Sequence, residues 1–465
     1  MVMSKNTKVL KKMSGTDATL MAIGDIIGSG IFSMTGIAIA FAGPGIPITF
    51  LIAGVCAMLL NIPMMVLASA VPVTGGDYVY VSRFMNPTLG FLWEWNKVME
   101  MLNLSVLGLA SGQYLPTIFP GLSPQMAGVI AVTIVFIPCM FNIKTSATVQ
   151  NIMVGLILLA LGLFIVLGFP RIKNFSVSGM VTTTGFLPIL FAVSFVRSSL
   201  FGATGLTYIA DEIENPRRTL PKAMAISTMS CCILYALIGL VASHVIPWQD
   251  MANQPLSVAA KTFMPKGIFN FFVIGGATFG LLTTLLASFL ESGRVMHTAA
   301  KDGLFPKWFD ATNKFGVPHR ILIIMYIIAL VPSVLNLPLD YVFAVMNAPA
   351  LLVGLLPILT VLIAPKKLPN RFKNSYFKIP MPVLWVMIIL HIGITLFLSG
   401  SLFSTLDLKT IIGIIIFYGA GVLYYVFRIR FLKNKKNVDL QKQMSAFPED
   451  WTTDDMPQAA ETAEA

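Results

Sequence analysis

Asp25, Arg197 and Glu291 each lie inside an apolar run long enough to cross a membrane. Charge is costly in such surroundings, so each of these side chains is a functional candidate. The carboxyl group of Asp25 could bind the amine or a basic side chain of a ligand, or carry a proton. The structural alternative is that it pairs with a neighbouring helix. We favour a functional role for Asp25.

Arg197 and Glu291 leave further alternatives open. Arg197 could pair with Asp25, extend its guanidinium group outward, or bind a ligand directly and so favour an acidic one. Glu291 could bind and release a proton, or it could be the structural partner of Arg294, three residues later on the same helix face. Together with Ser292, Glu291 and Asp25 are the candidate residues for coupling to an ion.

A second group of charges, Glu94, Lys97 and Glu100, has spacings of three residues. Lys97 can therefore reach either carboxylate on one helix face, which favours a self-neutralised stripe over a binding role. The four cysteines lie in apolar runs without the spacing of a metal site or a disulfide framework. No phosphate-binding loop or nucleophile triad is present in the sequence, which therefore predicts no enzyme.

These residues must be carried by membrane helices. Of the 465 residues, 56% are hydrophobic and 11% are charged, whereas soluble domains carry about 25% charged residues. This composition excludes a soluble enzyme, a disordered regulator and a small disulfide scaffold. Apolar runs bounded by charge, Pro or Gly predict an all-α membrane protein with twelve transmembrane helices, near residues 16–40, 44–70, 86–115, 124–142, 146–169, 185–210, 219–246, 267–299, 319–336, 340–364, 382–400 and 408–431.

The basic residues predict how these helices are oriented. With the N-terminus in the cytoplasm, the inner segments hold 24 Lys and Arg residues and the outer loops hold 5, which places both termini inside. The predicted parts are a cytoplasmic N-terminus (1–15), a transmembrane domain (16–431) and a cytoplasmic tail (432–465). From 443 onward the tail has six acidic residues and few large apolar groups, so we expect it to be disordered.

Two of the predicted helices have small polar residues at mid-membrane. The first contains Gly28-Ser29-Gly30, and the sixth contains a run from Ser198 to Gly205. Close helix packing would explain either run alone. A Gly-interrupted pair in corresponding positions instead indicates a transporter binding site, since freed backbone is tolerated only beside a polar cavity. Half-helix N–H groups suit a carboxylate, and half-helix carbonyls suit an ammonium group.

Four motifs together resemble the amino acid–polyamine–organocation permeases. They are Gly28-Ser29-Gly30-Ile31-Phe32, the loop from Thr74 to Phe91, the segment from Asp211 to Ala223, and the end of the eighth helix from Ser292 to Pro306. This resemblance implies a leucine-transporter-like core of two inverted five-helix repeats plus two peripheral helices. It also implies transport of amino acids or polyamines by alternating access.

The resemblance assigns roles by position. It implies that Ser29, Gly30 and Ile31 meet the carboxylate of the substrate, and that carbonyls near Ile26, Ile27, Leu200 and Phe201 meet its ammonium group. The complete set of predicted substrate-binding residues is Asp25, Ile26, Ile27, Gly28, Ser29, Gly30, Ile31, Arg197, Ser198, Leu200, Phe201, Gly202 and Thr204.

The chain also departs from the family pattern. Ile157 stands where certain proton-coupled members have a Lys, and Arg197 stands where an apolar or aromatic group is usual. Ser198 occupies the position of an aromatic gate, so Phe201 or Phe195 is the candidate to cover the pocket. These departures leave Glu291 and Asp25 as the candidates for proton coupling.

The sequence therefore predicts a secondary transporter of amino acids in the cytoplasmic membrane, working as a cation symporter or an exchanger. The alternative within transport is an antiporter of cationic amines, which the acidic residues in the helices support. A channel or a membrane sensor is disfavoured, because the polar breaks are local and no output domain follows. The predicted partners are a small-molecule substrate and the lipid bilayer, without nucleic acid or cofactor; H⁺ or Na⁺ is the predicted coupling ion.

Overall fold

A computed structural model describes residues 12–28, 30–73, 75–117, 119–141, 147–172, 176–447 and 451, without the side chains of 147–150, 198, 211 and 212. In these residues the chain is helical, and its one β-bridge joins Met13 to Ile213. The α-helices are α1 Gly15–Ile26, α2 Thr35–Ala42, α3 Ile46–Ala70, α4 Gly76–Tyr80, α5 Pro87–Glu100, α6 Leu102–Tyr114, α7 Pro124–Cys139, α8 Ala147–Gly168, α9 Gly179–Thr182, α10 Phe186–Val196, α11 Pro216–His244, α12 Trp248–Met251, α13 Leu256–Phe263, α14 Lys266–Phe271, α15 Phe279–Lys301, α16 His319–Val334, α17 Leu339–Val353, α18 Leu355–Lys367, α19 Pro369–Lys373, α20 Met381–Phe403, α21 Leu408–Lys436 and α22 Leu440–Ser445.

Shorter helical turns connect or interrupt these helices. The 3₁₀ turns are Gly43–Gly45, Leu115–Thr117, Phe169–Arg171, Arg197–Leu200, Gly202–Glu212 and Lys307–Asp310. The π-helical turns are Gly30–Met34, Val81–Met85 and Phe272–Thr278. Departures of this kind inside helices frequently mark functional sites, because they change which side chains point inward.

Several helices begin at capping residues that the sequence makes visible. Ser14 and Asp17 form a capping box at the start of α1, with both reciprocal hydrogen bonds present. Asn86 caps α5 by accepting from the Thr88 N–H at 2.7 Å, and Pro87 occupies the first helical position. Such caps satisfy N–H groups that have no partner within the helix.

Seven helical stretches of the described chain are long and apolar enough to cross a membrane, and three apolar helices are shorter. Large side chains on the outer faces of α20 and α21 are exposed, for example Leu390 at 53% and Leu423 at 73%. Exposed apolar surface on this scale requires a lipid or protein partner. The chain is therefore a multi-pass α-helical membrane protein. The count of twelve helices and their inverted repeat remain predictions.

Helices α3 and α11 pack against each other in the interior. The Asn61 Nδ2 donates to Thr228 Oγ1 at 2.7 Å, and the rings of Phe50 and Tyr235 meet edge to face at 5.4 Å. A Cβ at Gly54 would lie 2.1 Å from the sulfur of Cys232. Glycine is therefore required there by the close approach of the two helices.

The prediction of a disordered tail from residue 432 is wrong for 432–447. Helix α21 continues to Lys436, and α22 follows. The buried side chains of Leu440, Met444 and Trp451, with Phe447, are spaced by four, three and four residues. Leu440 and Met444 lie on the buried face of α22, which ends at Ser445. Beyond that end, Trp451 stacks on Phe84 with ring centroids 5.9 Å apart.

Candidate functional site

The first predicted interruption is present between α1 and the π-helical turn. Helix α1 ends at Ile26, and helical backbone resumes at Gly30; Ser29 lies outside the described residues. A Cβ at Gly28 would lie 3.0 Å from the Thr284 side chain, and one at Gly30 would lie 1.8 Å from Ser199 Oγ. Both glycines are therefore fixed by close packing against other helices.

The second predicted interruption follows α10. A 3₁₀ turn covers Arg197–Leu200, Phe201 leaves the helix, and a longer 3₁₀ segment begins at Gly202. A Cβ at Gly202 would lie 2.6 Å from the carbonyl carbon of Asp25. The two interrupted helices therefore cross at their breaks, with backbone against backbone. Of Ser198 only the backbone is described.

The carbonyl groups at the breaks already have hydroxyl partners. Tyr235 donates to the Ile26 carbonyl at 2.7 Å. The Thr284 hydroxyl lies 3.3 Å from the Ile27 carbonyl, and Thr204 donates to the Phe201 carbonyl at 2.9 Å. A carbonyl oxygen has two lone pairs. Those of Ile26 and Phe201 also accept from the N–H groups of Gly28 and Thr204, each at 3.0 Å, so among these three the Ile27 carbonyl has room for another donor. Their predicted role toward an ammonium group remains a prediction.

A cavity of about 320 Å³ lies at this crossing, in the size range of small-molecule sites. Three of the predicted residues, Ile27, Ile31 and Leu200, are buried behind its wall. The predicted residues that line the cavity are Asp25, Ile26, Gly28, Gly30, Arg197, Phe201, Gly202, Thr204, Glu291 and Ser292.

Two carboxyl groups face each other on the cavity wall. Those of Asp25 and Glu291 lie within hydrogen-bonding range of one another. Asp25 Oδ2 and Glu291 Oε1 are buried and have no further partner. The backbone at Gly205 allows this approach, since a Cβ there would be 3.0 Å from both oxygens of Glu291. The pair can hold a proton between its members or receive a cationic group.

Arg197 lies apart from this pair. Both residues are described, and no ion pair joins Arg197 to Asp25. The guanidinium group does not reach outward either, because Arg197 is 1% exposed. It lies 4.3 Å from the centroid of the Phe201 ring, and its Nη2 is 3.3 Å from His391 Nε2. This geometry fits neither an ion pair with Asp25 nor an outward guanidinium group, and direct contact with a ligand stays a prediction.

The charged stripe of α5 is only partly neutralised. Lys97 forms an ion pair with Glu100 and lies 4.6 Å from the centroid of the Trp93 ring. Glu94 is fully buried, and both its carboxylate oxygens lack a hydrogen-bond partner. Lys97 and Glu100 also line the cavity, as does Asp77, which accepts from the Tyr208 hydroxyl at 3.1 Å. The interpretation as a purely self-neutralised stripe is therefore wrong for Glu94.

Sequence reasoning missed two parts of the cavity wall. A single histidine in an apolar run is more often a packing residue than a functional one, yet His391 lines the cavity beside Arg197. The tenth predicted helix was treated as continuous, whereas α17 and α18 meet at Gly354, which also lines the cavity. Pro349 and Pro357 flank that glycine in the sequence, and this Pro–Gly–Pro pattern is the signal that could have shown the interruption.

The chain is similar to known transporters over most of its length. It is 28% identical to the branched-chain amino acid permease BcaP of Bacillus subtilis, over 79% of this chain and 84% of that protein. It is 26% identical to the methylthioribose transporter of Bacillus subtilis (68% and 73%) and to the lysine-specific permease LysP of Lactococcus lactis (70% and 69%). The profile of the amino acid permease family matches residues 13–426. The chain therefore belongs to the amino acid–polyamine–organocation family of permeases.

Proposed function

We propose that this protein is a secondary transporter that moves amino acids across the cytoplasmic membrane by alternating access. Both termini lie in the cytoplasm, and the membrane domain has twelve helices with two inverted repeats of five. The relatives are named as permeases and transporters, which supports transport rather than catalysis. Amino acids are the substrate class that the name of the family supports.

The observation that carries this proposal is the crossing of two interrupted helices beside a cavity. The N–H groups at the start of the Gly30–Met34 turn suit the carboxylate of an amino acid. The carboxyl groups of Asp25 and Glu291 suit its ammonium group, because each has a buried oxygen without a partner. A zwitterion would satisfy both sets of groups at once.

We further propose that Asp25 and Glu291 couple transport to H⁺. Two carboxylates in hydrogen-bonding range repel each other, so a single proton held between them stabilises the empty site. The singly protonated pair keeps one negative charge, which an arriving ammonium group would compensate, so the proton and the substrate would be bound together. Na⁺ is the alternative coupling ion, and exchange of two substrates is the alternative to symport.

An antiporter of cationic amines is the second candidate function. It is favoured by the number of acidic residues around the cavity, which is lined by Asp25, Asp77, Glu100 and Glu291. Lys97 compensates only Glu100 by direct contact. A polyamine without a carboxylate would leave Arg197 without a counter-ion, which is why we place this function second.

Counterflow in proteoliposomes tests the proposal. Liposomes loaded with one unlabelled compound are assayed for uptake of neutral, acidic and basic amino acids and of polyamines. We expect counterflow with at least one amino acid. If only polyamines exchange, the antiporter is the correct function; if no compound exchanges, transport of these classes is excluded.

Gly28 tests the location of the site. Gly28→Leu places a bulky side chain where even a Cβ would lie 3.0 Å from Thr284, so we expect uptake to be lost. The matched control is Gly413→Leu, because a Cβ at Gly413 meets nothing within 4 Å. Gly30→Leu is a poorer test, since its side chain would collide with Ser199 and disturb packing. Full uptake by a folded Gly28→Leu protein would reject the site.

A further inference from the structure

The guanidinium group of Arg197 is a buried cation without a counter-ion. Its Nε and Nη1 are buried and have no hydrogen-bond partner. None of the carboxylates whose side chains are described forms an ion pair with it. Its neighbours are the Phe201 ring and the Nε2 of His391. Because arginine stays protonated in proteins, this arrangement leaves a positive charge uncompensated.

An uncompensated charge at such a position is expensive. Transferring an ionised group out of water is tolerated when the group is paired, and buried charges inside membranes normally have partners. Arg197 lines the cavity of about 320 Å³, so a ligand in the cavity can reach it. The missing partner is therefore an anionic group of the ligand.

The position of Arg197 indicates which part of the ligand carries this anion. Gly202, which packs on Asp25, follows Arg197 by five residues. Gly205, which packs on Glu291, follows Arg197 by eight residues. The interruption at Phe201 separates Arg197 from both glycines, so along this helix Arg197 lies on one side of the break and the glycines that pack on the carboxyl pair lie on the other. The amino and carboxyl groups on the α-carbon of an amino acid are adjacent, so both bind near the breaks. Arg197 then lies toward the side chain of the substrate.

We propose that Arg197 binds the side chain of the substrate, and that this substrate is an amino acid with a negatively charged side chain. The inference rests on the proposed function and narrows its substrate class. The planar guanidinium group offers Nε and one Nη for two parallel hydrogen bonds to a carboxylate. The Phe201 ring lies against one face of this group, and His391 contacts its edge at Nη2, so both residues hold it in place.

The experiment compares acids with their neutral amides of nearly the same shape. Glutamate, glutamine, aspartate, asparagine and lysine compete for counterflow in proteoliposomes that contain the wild-type protein. We expect one acid to compete at a concentration at least about 100-fold lower than its amide, because the amide leaves Arg197 uncompensated. We expect lysine not to compete, since its charge would face that of Arg197.

The variants separate a binding role from a structural one. In Arg197→Gln we expect the acid to lose about 100-fold in affinity while its amide changes less than about threefold. Arg197→Lys keeps a point charge without the planar pair of donors, so we expect an intermediate loss of about tenfold. The control for charge is Lys261→Gln, which removes a positive charge at an exposed position and should change neither ligand. Binding measured by titration calorimetry in detergent gives an independent readout.

The outcomes distinguish this inference from the proposed function. If neutral amino acids are transported and neither acid competes, the substrate class is wrong while amino acid transport stands. If Arg197→Gln weakens acids and amides equally, Arg197 positions the helix and does not bind the side chain. If no amino acid is transported or bound by the wild-type protein, the proposed function itself fails.

Discussion

Arg83 and Arg197 are both largely buried, but their guanidinium groups have different partners. Arg83 donates to both carboxylate oxygens of Asp302, at 2.9 and 3.2 Å, to Ser82 Oγ and to the carbonyl of Met444. Arg197 has no acidic partner among the described side chains and contacts an aromatic ring and a histidine. The first arrangement joins segments that are far apart in the sequence, and we call it the structural junction. The second leaves donor groups of Arg197 able to bind a ligand in the cavity.

This difference shows that burial alone does not distinguish a structural arginine from a ligand-binding one. A buried cation that is paired with a carboxylate contributes to the architecture, because removing it leaves that carboxylate unsatisfied. A buried cation without a paired carboxylate destabilises the empty protein and is stabilised by an anionic ligand. The two arginines should therefore respond in opposite directions to the same substitution.

Arg83→Leu is the change with the largest expected effect on stability. It leaves the carboxylate of Asp302, whose side chain is 16% exposed, without its cation, and it frees the carbonyl of Met444. We expect a loss of about 3 kcal/mol in the free energy of unfolding, measured by thermal unfolding in detergent. A melting temperature equal to that of wild type would mean that the junction is not structural.

Trp451→Ala tests the same junction from the tail. Trp451 is 3% exposed and stacks on Phe84 with an interplanar angle of 12°. Loss of this side chain should cost about 2 kcal/mol, less than removal of a core tryptophan, because a terminal segment can detach locally. Limited proteolysis should cut the variant after α21 faster than wild type. Equal protection of both proteins would contradict the packing of the tail.

Arg197→Leu should have the opposite sign. Replacing an uncompensated charge by an apolar side chain should raise the stability of the ligand-free protein by about 1 kcal/mol. Glutamate added to the wild-type protein should raise its melting temperature and leave that of the variant unchanged. A lower stability of the ligand-free variant would show that Arg197 is a structural residue like Arg83.

Glu291→Gln should have the smallest effect on stability and a distinct effect on transport. The amide retains the shape and a hydrogen bond to Asp25, but the pair can no longer exchange a proton through Glu291. We therefore expect uptake by the variant to depend less on pH than uptake by wild type. If uptake by wild type and variant has the same pH dependence, Glu291 does not take part in coupling.

The sequence predicts the interrupted helices well because their signal is local. Gly28, Gly30 and Gly202 are visible in the sequence as small residues in the middle of apolar runs. The relation between those breaks is not local. The contact of Gly202 with Asp25 and that of Thr284 with Gly24 join residues about 180 and 260 positions apart, and periodicity within one helix contains no information on such pairs.

Three further features could not be read for the same reason. The choice among the alternatives for Arg197 depends on His391, which lies 194 residues away. Helices α17 and α18 meet at Gly354, yet the run around this glycine stays apolar, so hydropathy alone does not show where the helix is interrupted. The packing of the segment after α22 involves Phe84, and an acidic tail composition conceals Phe447 and Trp451, the two aromatic residues that contact it.

The hydrogen bonds from Tyr235 to Ile26 and from Thr284 toward Gly24 and Ile27 have a consequence for affinity. They fix the unwound turn before any substrate arrives, so binding does not have to freeze a mobile loop. Ordering such a segment would otherwise subtract about 1–2 kcal/mol per residue from the gain on binding. Tyr235→Phe would remove one of these hydrogen bonds without adding bulk beside the cavity, so we expect it to lower affinity, measured by titration calorimetry.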